Sequence, residues 1–312
     1  MTKNKYKSPL SHQLNPGHSA CAGCGMIIAA RLVLDIAGPN TIATNATGCS
    51  EVTTTKYPMT SFKIPWFHGL FENASSLASG IVAALKQKGL ADKINVLVLA
   101  GDGATFDIGI GQISGMWERE ENALYVCYDN EAYQNTGYQA SGATPLDAVT
   151  TTTPAGKKSF GSQQRKKDMI KIALAHGCTY VATATVGYPT DVMAKVKKAL
   201  TIKGPKYLQI YTPCVPGWGI EPNQTLKVSQ LAVQSGFYPI VEYVKKNEGD
   251  IGQYRLQDEY QLSVMKINKK VPVQEFLKLQ KRFKHLFKSP AGKEEIAKIQ
   301  NIVDENIRKF SL

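Results

Sequence analysis

At 312 residues, with 43% hydrophobic and 20% charged residues, the chain can bury a sizeable core as one large α/β domain or two smaller ones. Its 37 basic and 25 acidic side chains leave a formal charge of +12. No nucleic-acid motif or aromatic-interleaved groove accompanies that excess, which excludes nucleic acid and leaves a solvated face or the complement of an acidic carrier protein or sister subunit.

The first fourteen residues are polar and basic with no apolar core, so no secretory signal is expected. A helical pattern over Cys24–Ile36 follows, then a second over Glu72–Leu85. Ile94–Ala100 is a nearly continuous apolar run, as expected of a strand buried on both faces, and it ends at Gly101-Asp102-Gly103. A helix over Ile108–Arg119 leads to a second such strand, Leu124–Tyr128, which ends at Asp129-Asn130. Glu131–Gly161 is rich in Thr, Gly, Ser and Gln without periodicity, and long loops of that kind often carry function. Helices over Lys166–His176 and Thr190–Leu200 then alternate with strands over Thr179–Ala184 and Tyr207–Tyr211.

This alternation predicts a mostly parallel sheet with helices on both faces. Ligands on such sheets bind beyond the carboxyl ends of the strands, where both polar motifs stand. After about residue 220 the character changes. Residues 241–272 are polar and mixed, and Val273–Phe287 and Gly292–Phe310 read as basic amphipathic helices of an arm or a C-terminal subdomain. Met26–Ala37 and Ile94–Ala100 are the most apolar stretches and are too short to span a bilayer, so no membrane partner is expected.

Gly101-Asp102-Gly103 alone is an ordinary turn sequence. With Asn130 placed 27 residues after Gly103, at the end of the next strand, it suits magnesium holding a diphosphate. Asp102 can supply a carboxylate oxygen, Asn130 an amide oxygen and Ala132 a backbone carbonyl, leaving positions for diphosphate oxygens and water. Gly101 and Gly103 let the backbone approach an anion, and the helix after Asp107 is expected to aim its amide-rich start at the phosphates.

The six cysteines are not evenly spaced, so they do not read as a disulfide framework; in a cytoplasmic protein they suit metal binding or burial. Cys21 and Cys24 form a Cys-x-x-Cys, Cys49 follows 25 residues later, and Cys214 sits in a turn after a predicted strand. Four thiolates suit an iron–sulfur cubane or structural zinc, and a lone Cys-x-x-Cys suits a redox dithiol. Cys127 and Cys178 read as buried small hydrophobes. His18 and His68 stand near these motifs and read as structural hydrogen-bonders.

Taken in order, several stretches carry a family likeness: Gly17–Gly25, Ala46–Val52, Leu70–Ala74, Gly101–Gly109, Tyr128–Gly137 and Ser141–Pro145, with Val273–Leu277 and Arg282-Phe283 in the tail. Across nearly its whole length the chain resembles the β subunit of the 2-oxoacid:ferredoxin oxidoreductases, above all the pyruvate type. The resemblance implies a thiamine-diphosphate-binding domain over 1–220 with a [4Fe–4S] cluster, and a C-terminal extension over 221–312. It implies that Cys21, Cys24, Cys49 and Cys214 bind the cluster, and that Asp102, Asn130 and the Ala132 carbonyl hold magnesium. Cys49, Gly101, Asp102, Gly103, Ala104, Asn130, Glu131, Ala132, Tyr133, Gln134 and Asn135 would border thiamine diphosphate, with Asn135 facing the reacting centre as the catalytic amide.

The same resemblance implies α, γ and δ partner subunits, ferredoxin as electron acceptor and a cytoplasmic enzyme. Coenzyme A would collect the acyl group from pyruvate-type substrates. It places the glutamate that activates the cofactor on the α subunit, which disfavours Glu51, Glu72 and Glu131. One departure stands out: pyruvate-type relatives commonly carry arginine where this chain has Ala140, and Tyr138 is also unusual. That keeps oxalate, or another 2-oxoacid, open beside pyruvate.

Overall fold

The computed structural model describes residues 12–56, 58–246 and 258–312. Part of the basic N-terminal stretch and part of the mixed 241–272 segment lie outside them. The elements run α1 (Gly25–Ala37), β1 (Thr41–Ala46), α2 (Cys49–Thr54), β2 (Trp66–Gly69), α3 (Ala74–Gln87), β3 (Asn95–Gly101), α4 (Ile110–Glu118) and β4 (Leu124–Asp129). They continue as α5 (Met169–Ala175), β5 (Tyr180–Thr185), α6 (Pro189–Thr201), β6 (Lys206–Tyr211), α7 (Val215–Trp218), α8 (Thr225–Gln234), β7 (Val241–Lys245), β8 (Tyr260–Val264), α9 (Val273–Lys278) and α10 (Pro290–Phe310).

The strands form one eight-stranded sheet in the order β2-β1-β3-β4-β6-β5-β7-β8. The first six are parallel; β7 and β8 join antiparallel. The side-chain period of two divides the core between the faces. Leu97 and Leu99 of β3 pack with α1 and α6 on one side, while Val96, Val98 and Ala100 pack with α3, α4 and α5 on the other. Strands so enclosed must be apolar on both faces, which is why β3 and β4 are legible as unbroken runs. A third core, around Trp218, Phe276, Phe283 and Val303, ties α8, α9 and α10 to the body.

From β1 the chain crosses to β2 on one side and then returns to β3 on the other, so the β1–β3 crevice is a topological switch point. Two details differ from expectation. The segment after Asp102 is a π-helical turn, Gly103–Ile108, and α4 begins only at Ile110. The amide-rich start that faces the crevice is therefore Gly103, not the helix after Asp107. Val273–Phe287 is also not one helix: α9 stops at Lys278 and a 3₁₀ segment, Lys281–Lys288, follows.

Candidate active site

A cleft opens at the switch point. Ala46, Thr47, Gly48, Cys49 and Ser50 form one wall, carried by the end of β1 and the start of α2. Gly101, Asp102 and Gly103 form its floor from the end of β3, and Asn130, Ala132, Tyr133, Gln134 and Asn135 close it from the loop after β4. Met26 and Phe71 also line it, neither of them expected at the site, although Phe71 falls in the Leu70–Ala74 stretch. Glu131 and Ala104, expected at the cofactor, are not among the lining residues. The Ala104 carbonyl instead accepts from Gly109 N at 2.9 Å inside the π-helical turn.

Asp102 is 1% exposed. Its Oδ1 accepts from the Asn130 backbone N–H at 3.2 Å and its Oδ2 from the Ser141 hydroxyl at 2.5 Å. Burial pushes its carboxyl well above the ordinary range and nearby Asp129 adds to this, against the pull of Ser141 and Lys166. A carboxylate in that setting calls for a cation.

The neighbouring oxygens supply the rest of a cage. Asn130 Oδ1 points at Asp102 Oδ1 and the Ala132 carbonyl, 2.8 Å from each. Turned over, the amide nitrogen would donate to both at the same distances, a sound arrangement with nothing bound. With oxygen inward, the Asn130 oxygen stands about 2.8 Å from each of the other two, matching the edge of an octahedron whose metal–oxygen bonds are about 2.0–2.1 Å, the magnesium geometry. The residues therefore fit magnesium. They include only one carboxylate, as expected where a diphosphate supplies the other charges.

The backbone around Asn130 is built for this convergence. Glu131 takes φ +62°, a left-handed conformation costing a non-glycine residue roughly 1–2 kcal/mol. That reversal brings the Asn130 side chain and the Ala132 carbonyl to one point. The Asn130 carbonyl accepts from Gln134 Nε2 at 2.8 Å and Trp218 Nε1 at 2.9 Å. Glu131 itself is fully buried and faces away from the cleft, meeting Arg282, Lys166 and Tyr211.

The cysteines approach from the far wall. The Cys21–Cys24 turn is closed by Cys24 N on Cys21 O at 3.1 Å, and Gly25 N then donates to Pro213 O at 3.2 Å, beside Cys214. A Cβ at residue 25 would lie 2.9 Å from Pro213, so glycine is required for this approach. Cys49 is pushed up to about 12 by burial and then by Cys24, Cys21 and Asp102; burial likewise takes Cys214 to about 12, opposed by the Gly217 N–H and helped by Cys49, Cys24 and Cys21. Cys49 and Cys214 thus share one neighbourhood with Cys24 and Cys21. Among the described residues no three His, Cys, Asp or Glu side chains stand close enough to hold a metal unaided. Two of the cysteine segments are tied together by the Gly25–Pro213 contact, and thiols are the donor type that bonds an iron–sulfur group. Cys127 and Cys178 are fully buried elsewhere, as expected.

His68 Nε2 lies 2.7 Å from the Thr47 hydroxyl, which lines the cleft, and 3.7 Å from Glu51. Ala140 does not border this cleft. It lines a second one with Asp107 and Tyr133, and Tyr133 is common to both.

Comparison with known proteins places the chain in a family. The family described as "Thiamine pyrophosphate enzyme, C-terminal TPP binding domain" matches residues 46–210, from the last residue of β1 into β6. A pyruvate synthase subunit PorB of Methanosarcina barkeri is 50% identical over 299 residues, covering 96% of this chain and 97% of that protein. A ketoisovalerate oxidoreductase subunit VorB of Pyrococcus abyssi is 40% identical over 92% of this chain and 90% of its own length. The chain belongs to the β subunits of the 2-oxoacid:ferredoxin oxidoreductases. Among solved structures, a 2-oxoglutarate:ferredoxin oxidoreductase from Magnetococcus marinus shares the fold, with a TM-score of 0.57 and 22% identity over 70% of this chain and 79% of that one. Family membership makes the chain a subunit of a thiamine-diphosphate oxidoreductase and accounts for a cleft set at the switch point of a parallel sheet. No helix of the described residues is long and apolar enough to cross a membrane.

Proposed function

We propose that the chain is the cofactor-carrying subunit of a cytoplasmic pyruvate:ferredoxin oxidoreductase, which converts pyruvate and coenzyme A to acetyl-CoA and carbon dioxide and passes electrons to ferredoxin. The observation that carries the reading is that Asp102 and Cys49 line one cleft. Thiamine diphosphate supplies an electron sink for decarboxylation, and a [4Fe–4S] cluster supplies one-electron acceptance.

The chain's own residues divide the remaining work. Asp102, Asn130 and the Ala132 carbonyl hold magnesium; Gly101 and Gly103 admit the diphosphate to the backbone. Cys21, Cys24, Cys49 and Cys214 hold the cluster, with Cys49 also against the cofactor. Asn135, solvent-exposed on the cleft rim, offers an amide N–H to oxygen that gains charge during the reaction, without adding charge of its own. Residues 1–220 form the cofactor-binding unit, and 221–312 the extension that buttresses it.

Asp102 is the sole carboxylate among the described residues lining the cleft, and it is committed to magnesium. The family resemblance places the acid that activates the cofactor on an α subunit, and this lining supports that reading. Val52, Phe67, Leu70 and Ile108 are exposed apolar side chains on the elements that build the cleft, and they suit such a partner.

The test is reduction of methyl viologen by the purified complex with a panel of 2-oxoacids and oxalate, with and without coenzyme A. Coenzyme A-dependent activity on pyruvate is expected. Coenzyme A-independent activity on oxalate alone would replace pyruvate as the substrate. A colourless, iron-free protein containing zinc would overturn the redox assignment.

A further inference from the structure

A buried charge network straddles Asn130. On one side, Asp129 meets Lys166 and accepts from Gln209 Nε2 at 2.7 Å. On the other, Glu131 meets Lys166 at 3.2 Å and Arg282 Nη2 at 2.5 Å, and accepts from the Tyr211 hydroxyl at 3.1 Å. Arg282 belongs to the 3₁₀ segment of the C-terminal extension, 151 residues away in sequence, and is 6% exposed. Lys281, Lys284 and Lys288 of that segment are exposed, whereas Arg282 turns in.

Arg282 reaches Asn130 by two routes. Its Nη2 donates to the carboxylate of Glu131, whose left-handed backbone brings Asn130 Oδ1 and the Ala132 carbonyl together. Its guanidinium plane also lies 3.9 Å from the Trp218 ring centroid, and that indole donates to the Asn130 carbonyl. Gln280 Oε1 fixes the guanidinium from behind at 2.9 Å, and the Arg282 carbonyl accepts from Val149 N at 3.1 Å.

Burying an ion pair is a poor way to gain stability, since apolar residues of similar volume often do as well or better. What a planar fork that also stacks provides is fixed direction. We propose that Arg282 is a positioning residue of the magnesium–diphosphate site: docked between Glu131 and Trp218, it sets the register of Asn130 and Ala132, so that the C-terminal extension governs cofactor affinity. The proposal rests on the magnesium reading above.

Arg282→Met alone leaves Glu131 buried and unpaired, so the test uses Arg282→Met with Glu131→Gln, compared in the assembled complex with Lys278→Met, which breaks an exposed pair on the same extension. Thiamine diphosphate binding is measured by equilibrium dialysis at several magnesium concentrations, alongside iron content and the magnesium dependence of turnover. The double variant is expected to keep its iron, bind the cofactor about tenfold more weakly, a loss of about 1.4 kcal/mol, and regain occupancy and kcat at high magnesium. Lys278→Met is expected to match wild type. Wild-type affinity and magnesium dependence with only a lower melting temperature would overturn the proposal and leave Arg282 a clamp.

If the double variant does not assemble, Trp218→Phe decides, because it removes the N–H to Asn130 while a smaller aromatic face still meets Arg282. The same weakening is expected, and an unchanged magnesium response overturns the proposal. Failure of wild-type protein to bind thiamine diphosphate with magnesium would overturn the underlying site reading, a result distinct from either variant outcome.

Discussion

Tyr133 lies across Gly103 so closely that a Cβ at residue 103 would stand 2.3 Å from its ring. The phenol donates to the Gly103 carbonyl and to Asp107 Oδ2, each at 3.2 Å, and the ring packs on Phe71 with centroids 5.6 Å apart. Gly103, opening the turn after β3, is therefore needed as much for the wall of the cleft as for the approach of an anion.

Gly103→Ala is expected to push Tyr133 into the cleft and weaken thiamine diphosphate binding by about tenfold or more, since over-packing costs about 1–3 kcal/mol. Adding Tyr133→Ala should restore much of the loss by clearing the clash. A double-mutant cycle on cofactor affinity measures this coupling. Additive losses would show that residue 103 acts on the cofactor independently of Tyr133.

Asp102→Ala separates the two halves of the site. It removes the anionic ligand of the cage and leaves the Gly25–Pro213 contact that holds the cysteine segments together. The expected protein loses thiamine diphosphate on gel filtration but keeps its iron. Cofactor and iron content per complex report both halves at once. Retention of thiamine diphosphate with magnesium would show that the cation is held elsewhere.

The cysteines divide in the same way. Replacing Cys21, Cys24, Cys49 or Cys214 with Ser should bleach the broad visible absorption of anaerobically purified protein and lower its iron. Cys127→Ala and Cys178→Ala should leave both unchanged, because these thiols are fully buried away from the other four. Loss of colour in either Ala variant would break the assignment.

The sequence exposes the strands that are apolar on both faces and hides the rest. β3 and β4 are unbroken apolar runs. β1, Thr-Ile-Ala-Thr-Asn-Ala, is just as buried, but its Thr44 and Asn45 are satisfied internally, by Leu97 O and Ser50, so it lacks the apolar signature. β2 is a four-residue edge strand, too short for alternation to register. β7 and β8 add antiparallel strands from a segment whose polarity reads as loop. At the site, Asp102, Asn130 and the cysteines stand out in the sequence because ligand chemistry restricts residue type. The direction of the Glu131 side chain is hidden for the opposite reason. A motif locates its backbone beside Asn130, but only the fold brings Arg282 across to turn the carboxylate away from the cleft.

Lys206 yields a prediction remote from the active site. It opens β6 at the amino end of the sheet, 3% exposed, with its ammonium held by Asn122 Oδ1 at 2.5 Å and Ile202 O at 2.9 Å. Neither contact is to a carboxylate. Burial, with Lys203 nearby, takes it from the ordinary 10.5 down to about 7. Below pH 7 the folded state carries the full cost of a buried charge. As pH rises from about 7 towards 10.5 the folded protein sheds that proton while the unfolded chain retains it, so this residue's penalty shrinks. The slope is at most about 1.4 kcal/mol per pH unit. Lys206→Met removes the titration, so its stability relative to wild type should be greatest near pH 6 and decline towards pH 9. Urea unfolding of both proteins across that range measures the difference, in which titrations common to both cancel. A flat difference would mean that Lys206 keeps its proton in the fold and that the Asn122 and Ile202 oxygens suffice to hold it.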